Sequence, residues 1–429
     1  MSEKIIVNGN RSVGTIDRHL YGQFSEHLGR CVYEGLYVGD DKDIPHRKGM
    51  RNDVVSALKA LSVPVMRWPG GCFADTYHWM DGIGEKSERR RIVNTNWGGV
   101  TEDNSFGTDE FMTLAGQIGC DAYFSGNVGS GSPREMSDWV EYCNSPAGSS
   151  PMALQREKNG RKEPYDVLYW GIGNEAWGCG GSMRAEYYAD LLRQYSTYLR
   201  TYHGEKIVRI ASGASEDDYH WTKVIAEQAS RYIDMVSLHY YTRPLPEWAH
   251  KGAATRFPVR EYYSVLANTL RMEELIVRHG AIISKYDKSG RVRLAVDEWG
   301  TWYDAEEGTN PGFLLQQNTI RDALVAAINL NLFNNHADIV GMANIAQVAN
   351  VLQAMVLTEG PRMILTPTYH VFDLMKGHQG ARQVESYAAS SMVGVGDFLV
   401  PSLSVSASVK AQKLLVTVAN LSLDPIDAE

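Results

Sequence analysis

The sequence predicts a (β/α)₈ barrel carrying a small β domain, sandwich-like in the jelly-roll manner, assembled from both chain ends. Eight short apolar runs alternate with helical patterns: Leu20–Glu26, Val63–Trp68, Ala122–Asn127, Leu168–Asn174, Ile207–Ser212, Met235–Tyr240, Val292–Glu298 and Ile339–Ile345. After about Gly380 the helical period vanishes and period-two alternation replaces it. One further strand pattern, Lys4–Asn8, precedes the barrel.

The strand runs are apolar on both faces, as parallel strands buried under helices must be. In YDVLYWGIGNEAWGCGG, the residues Val167, Leu168, Tyr169, Trp170 and Ile172 have no helical spacing and end in Asn174 and Glu175 before a glycine-rich loop. Between the strands, Met50–Leu61 places Val54, Val55, Leu58 and Leu61 at helical intervals. Ala185–Tyr202, Tyr262–His279 and Leu314–Phe333 read as longer amphipathic helices. Near the end, Leu403, Val405, Ala407 and Val409 alternate with serines, and Leu414, Val416 and Val418 alternate after a turn at Lys410–Gln412. That pattern predicts antiparallel strands with one polar face. The first strand is expected to join them, since termini often lie together. The expected boundaries are 1–16 for the N-terminal strand, 17–380 for the barrel and 381–429 for a partial C-terminal β portion.

Composition excludes several classes. The 429 residues allow one large catalytic domain with a small companion, and 44% hydrophobic content fills a core. A formal charge of −9 without a basic block argues against nucleic acid or an anionic membrane as partner. No apolar run is long enough to span a bilayer. The opening MSEKIIVNGNRS lacks a signal-peptide core. Five scattered cysteines (Cys31, Cys72, Cys120, Cys143, Cys179) include no CxxC pair, which predicts a reduced cytoplasmic protein without disulfides or a zinc ribbon. No HxH or HExxH pair follows a strand, so no metal or other cofactor is expected.

The chemistry lies at strand tips. Glu175 ends strand four. In RVRLAVDEWGTWY, a second buried run ends at Asp297 and Glu298, 123 residues further on. That gap is three barrel units of about 30 to 50 residues, which puts the two glutamates across the barrel mouth from each other. Carboxyl groups about 5 Å apart serve retaining glycosidases. One, Glu175, would donate a proton to the leaving oxygen. The other, Glu298, would attack the anomeric carbon, and Glu175 would then activate water. Other tips contribute Glu26, Arg67, Cys72, His239, Tyr241, Asn344 and Gln347. Singly, each has a plainer reading. Arg67 suits a structural ion pair, His239 a satisfied core histidine, Cys72 a small hydrophobe, and Trp97 and Trp177 loop anchors. Their convergence on one barrel end is what points to a sugar site.

The segments LYGQFSEHLGRCVYEGLYVG, VMRWPGGCFADTYHWMDGIG, NTNWGGVTEDNSFGTDEFM, LYWGIGNEAWGCGG, VSLHYYT, LAVDEWGTWY and NLNLFNNHADIVGMANIAQVANVLQAM resemble glycoside hydrolase family 51 over roughly residues 15 to 380. The resemblance implies a barrel with a β-sandwich and a retaining exo-α-L-arabinofuranosidase acting on arabinose-containing oligosaccharides. It implies Glu175 as acid/base and Glu298 as nucleophile. Glu26 and Asn174 match residues that bind sugar hydroxyls, Arg67 one that orients the nucleophile, and Tyr241 one that donates to it. Gln347 matches a pocket wall, Cys72 its floor and Trp97 an aromatic on the aglycone side; His239 joins this substrate-binding set. A homo-oligomer, commonly a hexamer, is also implied. The departures are a shorter β domain and the glycine-rich WGCGG loop. Rival readings are a β-xylosidase or endo-β-glucanase on the same barrel, a non-catalytic sugar-binding barrel, and a metal-dependent hydrolase.

Overall fold

The computed structural model describes residues 3–429 except 203 and 205. All eight predicted barrel strands form, each parallel to the next, and the last closes on the first. With β1 at Lys4–Asn8, the barrel strands are β2 (Gly22–Phe24), β3 (Val65–Trp68), β4 (Asp121–Gly126), β5 (Tyr169–Ile172), β6 (Val208–Ser215), β7 (Met235–Thr242), β8 (Arg293–Thr301) and β9 (Val340–Ala346). The covering helices follow in sequence: α1 (Asn52–Ala60), α2 (Thr108–Ile118), α3 (Pro133–Asn144), α4 (Pro151–Lys158), α5 (Ala185–Tyr198), α6 (Tyr219–Ala229), α7 (Val259–Tyr286), α8 (Ile320–Asn335) and α9 (Pro367–Met375). Val65, Tyr123, Ile210, Ala295 and Met342 pack inside the barrel as a filled core. No helix among the described residues is long and apolar enough to cross a membrane.

Strands β7 and β8 run past their predicted ends, so Tyr241 lies inside β7 rather than after it, and Glu298 lies inside β8 rather than at its end. A bulge explains the two acids. From Ala295 to Glu298 β8 takes three steps while β7 takes two, from Ser237 to His239. On the other side, Val296 to Trp299 faces only Ala343 to Ile345. The extra residue breaks strict alternation, and Asp297 and Glu298 both reach buried polar partners. Glu175 arrives differently. Strand β5 stops at Ile172, and Gly173 (φ 81°) and Glu175 (φ 40°) take left-handed backbone, as a rim residue freed from its ladder can.

Helix α8 begins six residues later than its pattern suggests. Leu314 is left-handed, and the start is set by Thr319, whose hydroxyl accepts from Arg321 N–H while Asp322 accepts from Thr319 N–H.

The terminal sheet pairs β1 with β10 (Arg382–Ala389), then β13 (Leu403–Lys410), then β14 (Lys413–Asn420), all antiparallel. A hairpin, β11 (Met392–Val395) and β12 (Phe398–Pro401), packs against α7. The serine face of β13 is buried, not solvated as its alternation suggested. Ser406 and Ser408 are enclosed; Ser404 and Ser406 bond Asn331 on α8, Ser406 also bonds Asn334, and Ser408 bonds His378. Each buried hydroxyl has a partner, so a polar face can pack against a barrel helix.

Candidate active site at the barrel rim

Arg67 on β3 is the hub. Its Nη1 donates to Glu298 Oε1 at 2.8 Å and to the Asp297 carbonyl at 3.1 Å. Its Nη2 donates to Asn174 Oδ1 at 2.7 Å and its Nε to Ser125 Oγ at 3.0 Å. The guanidinium lies over the Phe24 ring. A buried arginine with all three nitrogens engaged holds one geometry. The Tyr241 hydroxyl donates to the other oxygen of Glu298 at 2.7 Å. Glu298 is thus fixed at both oxygens.

Glu175 faces it. A carboxylate oxygen of Glu175, a ring nitrogen of His239 and a carboxylate oxygen of Glu298 all lie within 4.8 Å of one another. The Glu175 side chain is 19% exposed and that of Glu298 is 7% exposed. The more open acid can meet a leaving group and then a water; the deeper one is shaped to meet a single carbon. His239 Nδ1 is 2.9 Å from Glu175 Oε1, and its Nε2 is 3.3 Å from Asp297 Oδ1. Burial opposes the ring's charge, but Glu298, Asp297 and Glu175 outweigh it and push His239 up to about 10. Burial would likewise raise Asp297, yet Arg67 and His239 hold it well below the usual carboxylate range.

A raised histidine stabilises the fold fully below its unfolded value of about 6.5, and that contribution is lost as pH rises through the folded value. The stability gap between the native chain and His239→Gln is therefore expected to narrow as pH rises from 7 through about 10. Urea unfolding at several pH values checks this; a gap that stays constant removes the charged-ring assignment.

Glu26 is a third buried acid near Glu298. It accepts from Gly71 N–H (2.9 Å), Phe73 N–H (3.2 Å), Trp97 Nε1 (2.9 Å) and Gln347 Nε2 (2.9 Å). Burial first, then the Glu298 charge, pushes it up to about 7. The sequence WPGGC passes between these acids. A Cβ on Gly71 would stand 2.7 Å from Glu298 Oε1, and one on Gly70 would stand 2.6 Å from Glu26 Cγ. Only glycine lets the backbone approach that closely.

The rim therefore gathers Glu26, Arg67, Cys72, Trp97, Asn174, Glu175, His239, Tyr241, Glu298 and Gln347. Two other candidates are tied to the backbone: Asn344 donates to the Gln23 carbonyl and the Trp177 indole to the Gly213 carbonyl. Two groups carry more than their sequence suggested. Asp297 ties Tyr123, Ser237, Arg67 and His239 together. Asp75 accepts from Val128, Gly129 and Asn174 N–H and so pins the loops after β4 and β5. Asp297 was visible in the DEW run; Asp75 has no signal beyond its place in the segment after β3. The reduced-cysteine expectation is overturned. Cys72 and Cys179 form a disulfide across 107 residues, with Cα atoms 5.5 Å apart. No local spacing announces a pair that only barrel closure brings together.

A closed parallel barrel with two carboxylates facing each other at its rim defines the class of barrel glycoside hydrolases. Comparisons with known proteins narrow this. Residues 57–257 match the family model for the α-L-arabinofuranosidase 1 domain, and residues 297–423 that for the α-L-arabinofuranosidase C-terminal domain. An intracellular exo-α-L-arabinofuranosidase of Bacteroides ovatus is 50% identical over 430 residues, covering 100% of this chain and 82% of that one. The crystal structure of the family 51 arabinofuranosidase from Xanthomonas axonopodis pv. citri superposes with a TM-score of 0.96 at 47% identity, covering 100% of this chain and 88% of that one. The Thermotoga maritima α-L-arabinofuranosidase in its arabinose complex gives 0.85 at 33% identity, covering 98% and 85%. The chain belongs to the α-L-arabinofuranosidases of glycoside hydrolase family 51.

Proposed function

We propose that this chain is a retaining exo-α-L-arabinofuranosidase that releases terminal arabinofuranosyl units from arabino-oligosaccharides and arabinoxylan fragments. The carrying observation is the acid pair with carboxylate oxygens within 4.8 Å of each other, one member clamped by Arg67 and Tyr241 and the other open and in contact with His239. Glu298 attacks the anomeric carbon while Glu175 gives its proton to the departing oxygen. Glu175 then takes a proton from water, which attacks the same carbon and releases the sugar with its configuration kept. Glu26, Asn174, Gln347 and Trp97 form the sugar-facing wall, with Cys72 beside Glu175. Residues 1–16, 17–380 and 381–429 are assigned as N-terminal strand, barrel and C-terminal β portion. A cytoplasmic location and a homo-oligomer complete the reading. The intracellular designation of the Bacteroides relative supports the first, and the family resemblance supports the second.

The test is Glu175→Ala with an activated nitrophenyl α-L-arabinofuranoside. Its turnover with natural leaving groups is expected to collapse, while azide restores activity and yields an arabinosyl azide with retained configuration. An inverted azide product, or no adduct, removes the double-displacement assignment. A xyloside and carboxymethylcellulose assayed alongside measure the rival specificities.

A further inference from the structure

The disulfide sits against the open acid. Cys72 Sγ is 3.9 Å and Cys179 Sγ 3.5 Å from the same oxygen, Glu175 Oε2. Cys179 is exposed, so a reductant can reach the bond. Opening it leaves two sulfurs whose Cα atoms remain 5.5 Å apart. Bound to one tetrahedral zinc at about 2.3 Å each, two thiolates stand about 3.8 Å from each other. Glu175 Oε2 already lies within 3.9 Å of both sulfurs, so a carboxylate oxygen stands beside the two thiols as a third ligand for the ion. Thiolates favour soft cations such as zinc, cadmium or copper(I).

We propose that the reduced chain holds a soft metal ion between Cys72, Cys179 and Glu175, and that this ion blocks the acid/base, so that the disulfide keeps the enzyme free of metal inhibition. Reduction is balanced by a phosphine. Phosphorus attacks one sulfur, water supplies the oxygen of the phosphine oxide, and two thiols form. On binding the ion, both thiol protons pass to solvent. Glu175 then spends a lone pair on the metal and can neither donate to a leaving group nor accept from water. The remaining cysteines do not mimic this, because Cys31, Cys120 and Cys143 are free thiols in either redox state.

The inference rests on Glu175 serving the reaction, and the experiment separates the two claims. The full chain is prepared oxidised, and separately reduced with a water-soluble phosphine that is then removed. Both samples are titrated with cadmium. The reduced chain is expected to bind one ion with a thiolate-to-cadmium charge-transfer band and to lose turnover at least 10-fold, recovered on adding EDTA. The oxidised chain is expected to show neither effect. Reduced Cys179→Ser, read against its own metal-free baseline, is expected to lose both band and inhibition. If that variant does not fold, the two forms of the native chain still decide. No band on the reduced chain, or equal inhibition of both forms, overturns the site. A band without inhibition overturns the block on Glu175, while metal-free turnover reports independently on the hydrolase reading.

Discussion

Glu298→Gln is expected to lower kcat/KM on nitrophenyl α-L-arabinofuranoside by about 10³-fold or more, which is about 4 kcal/mol of transition-state stabilisation. The amide keeps the shape and one oxygen for Arg67, so the fold should hold. What goes is the nucleophile. An amide oxygen is a poor attacker on an anomeric carbon, and no covalent sugar intermediate forms at useful rate. The contrast between lost turnover and preserved unfolding is the diagnostic. Circular dichroism and urea unfolding close to the native chain, alongside the collapsed rate, match the expectation. Residual activity above one tenth of native would remove Glu298 from the nucleophile role. A sugar-binding barrel without catalysis would show no native turnover to lose.

Much of this architecture was legible because it rests on local physics. Buried parallel strands must be apolar on both sides, so Leu294–Val296 declares itself. Carboxylates at the ends of such runs stand out because burying charge is costly. What stayed hidden depends on register and closure. The period-two rule gives no warning that Asp297 and Glu298 both reach buried polar partners; an inserted residue between β7 and β9 does that. Cys72 and Cys179 meet only because β3 and β5 end on one rim. The serines of β13 read as a wet face until Asn331 and Asn334 of α8 arrive to bond them. In each instance the missing information was a partner distant in sequence.

Arg67→Met tests the hub from which the acids hang. In the native chain one guanidinium faces Glu298 and Asp297 while also ordering Asn174 and Ser125. Methionine fills the volume over Phe24 but, among the described residues, leaves two adjacent buried acids with only His239 as cation. Removing one side of a buried ion pair costs about 3–5 kcal/mol, because the remaining charges have lost water without compensation. Loss of that order in urea unfolding is expected, with kcat reduced as well, since Glu298 and Asn174 lose a shared anchor. The pH dependence should change too. Native Asp297 is depressed, so its contribution is present above about 3.9 and lost only as pH falls towards the folded value. Without Arg67 that depression shrinks, and mild acid should close part of the gap by protonating one of the pair. Arg67→Lys keeps the charge but not the fork, and is expected to recover stability more fully than rate. A methionine variant within about 1 kcal/mol of native would mean that Asp297 and Glu298 are held by their neighbours instead, and that the arginine positions nothing.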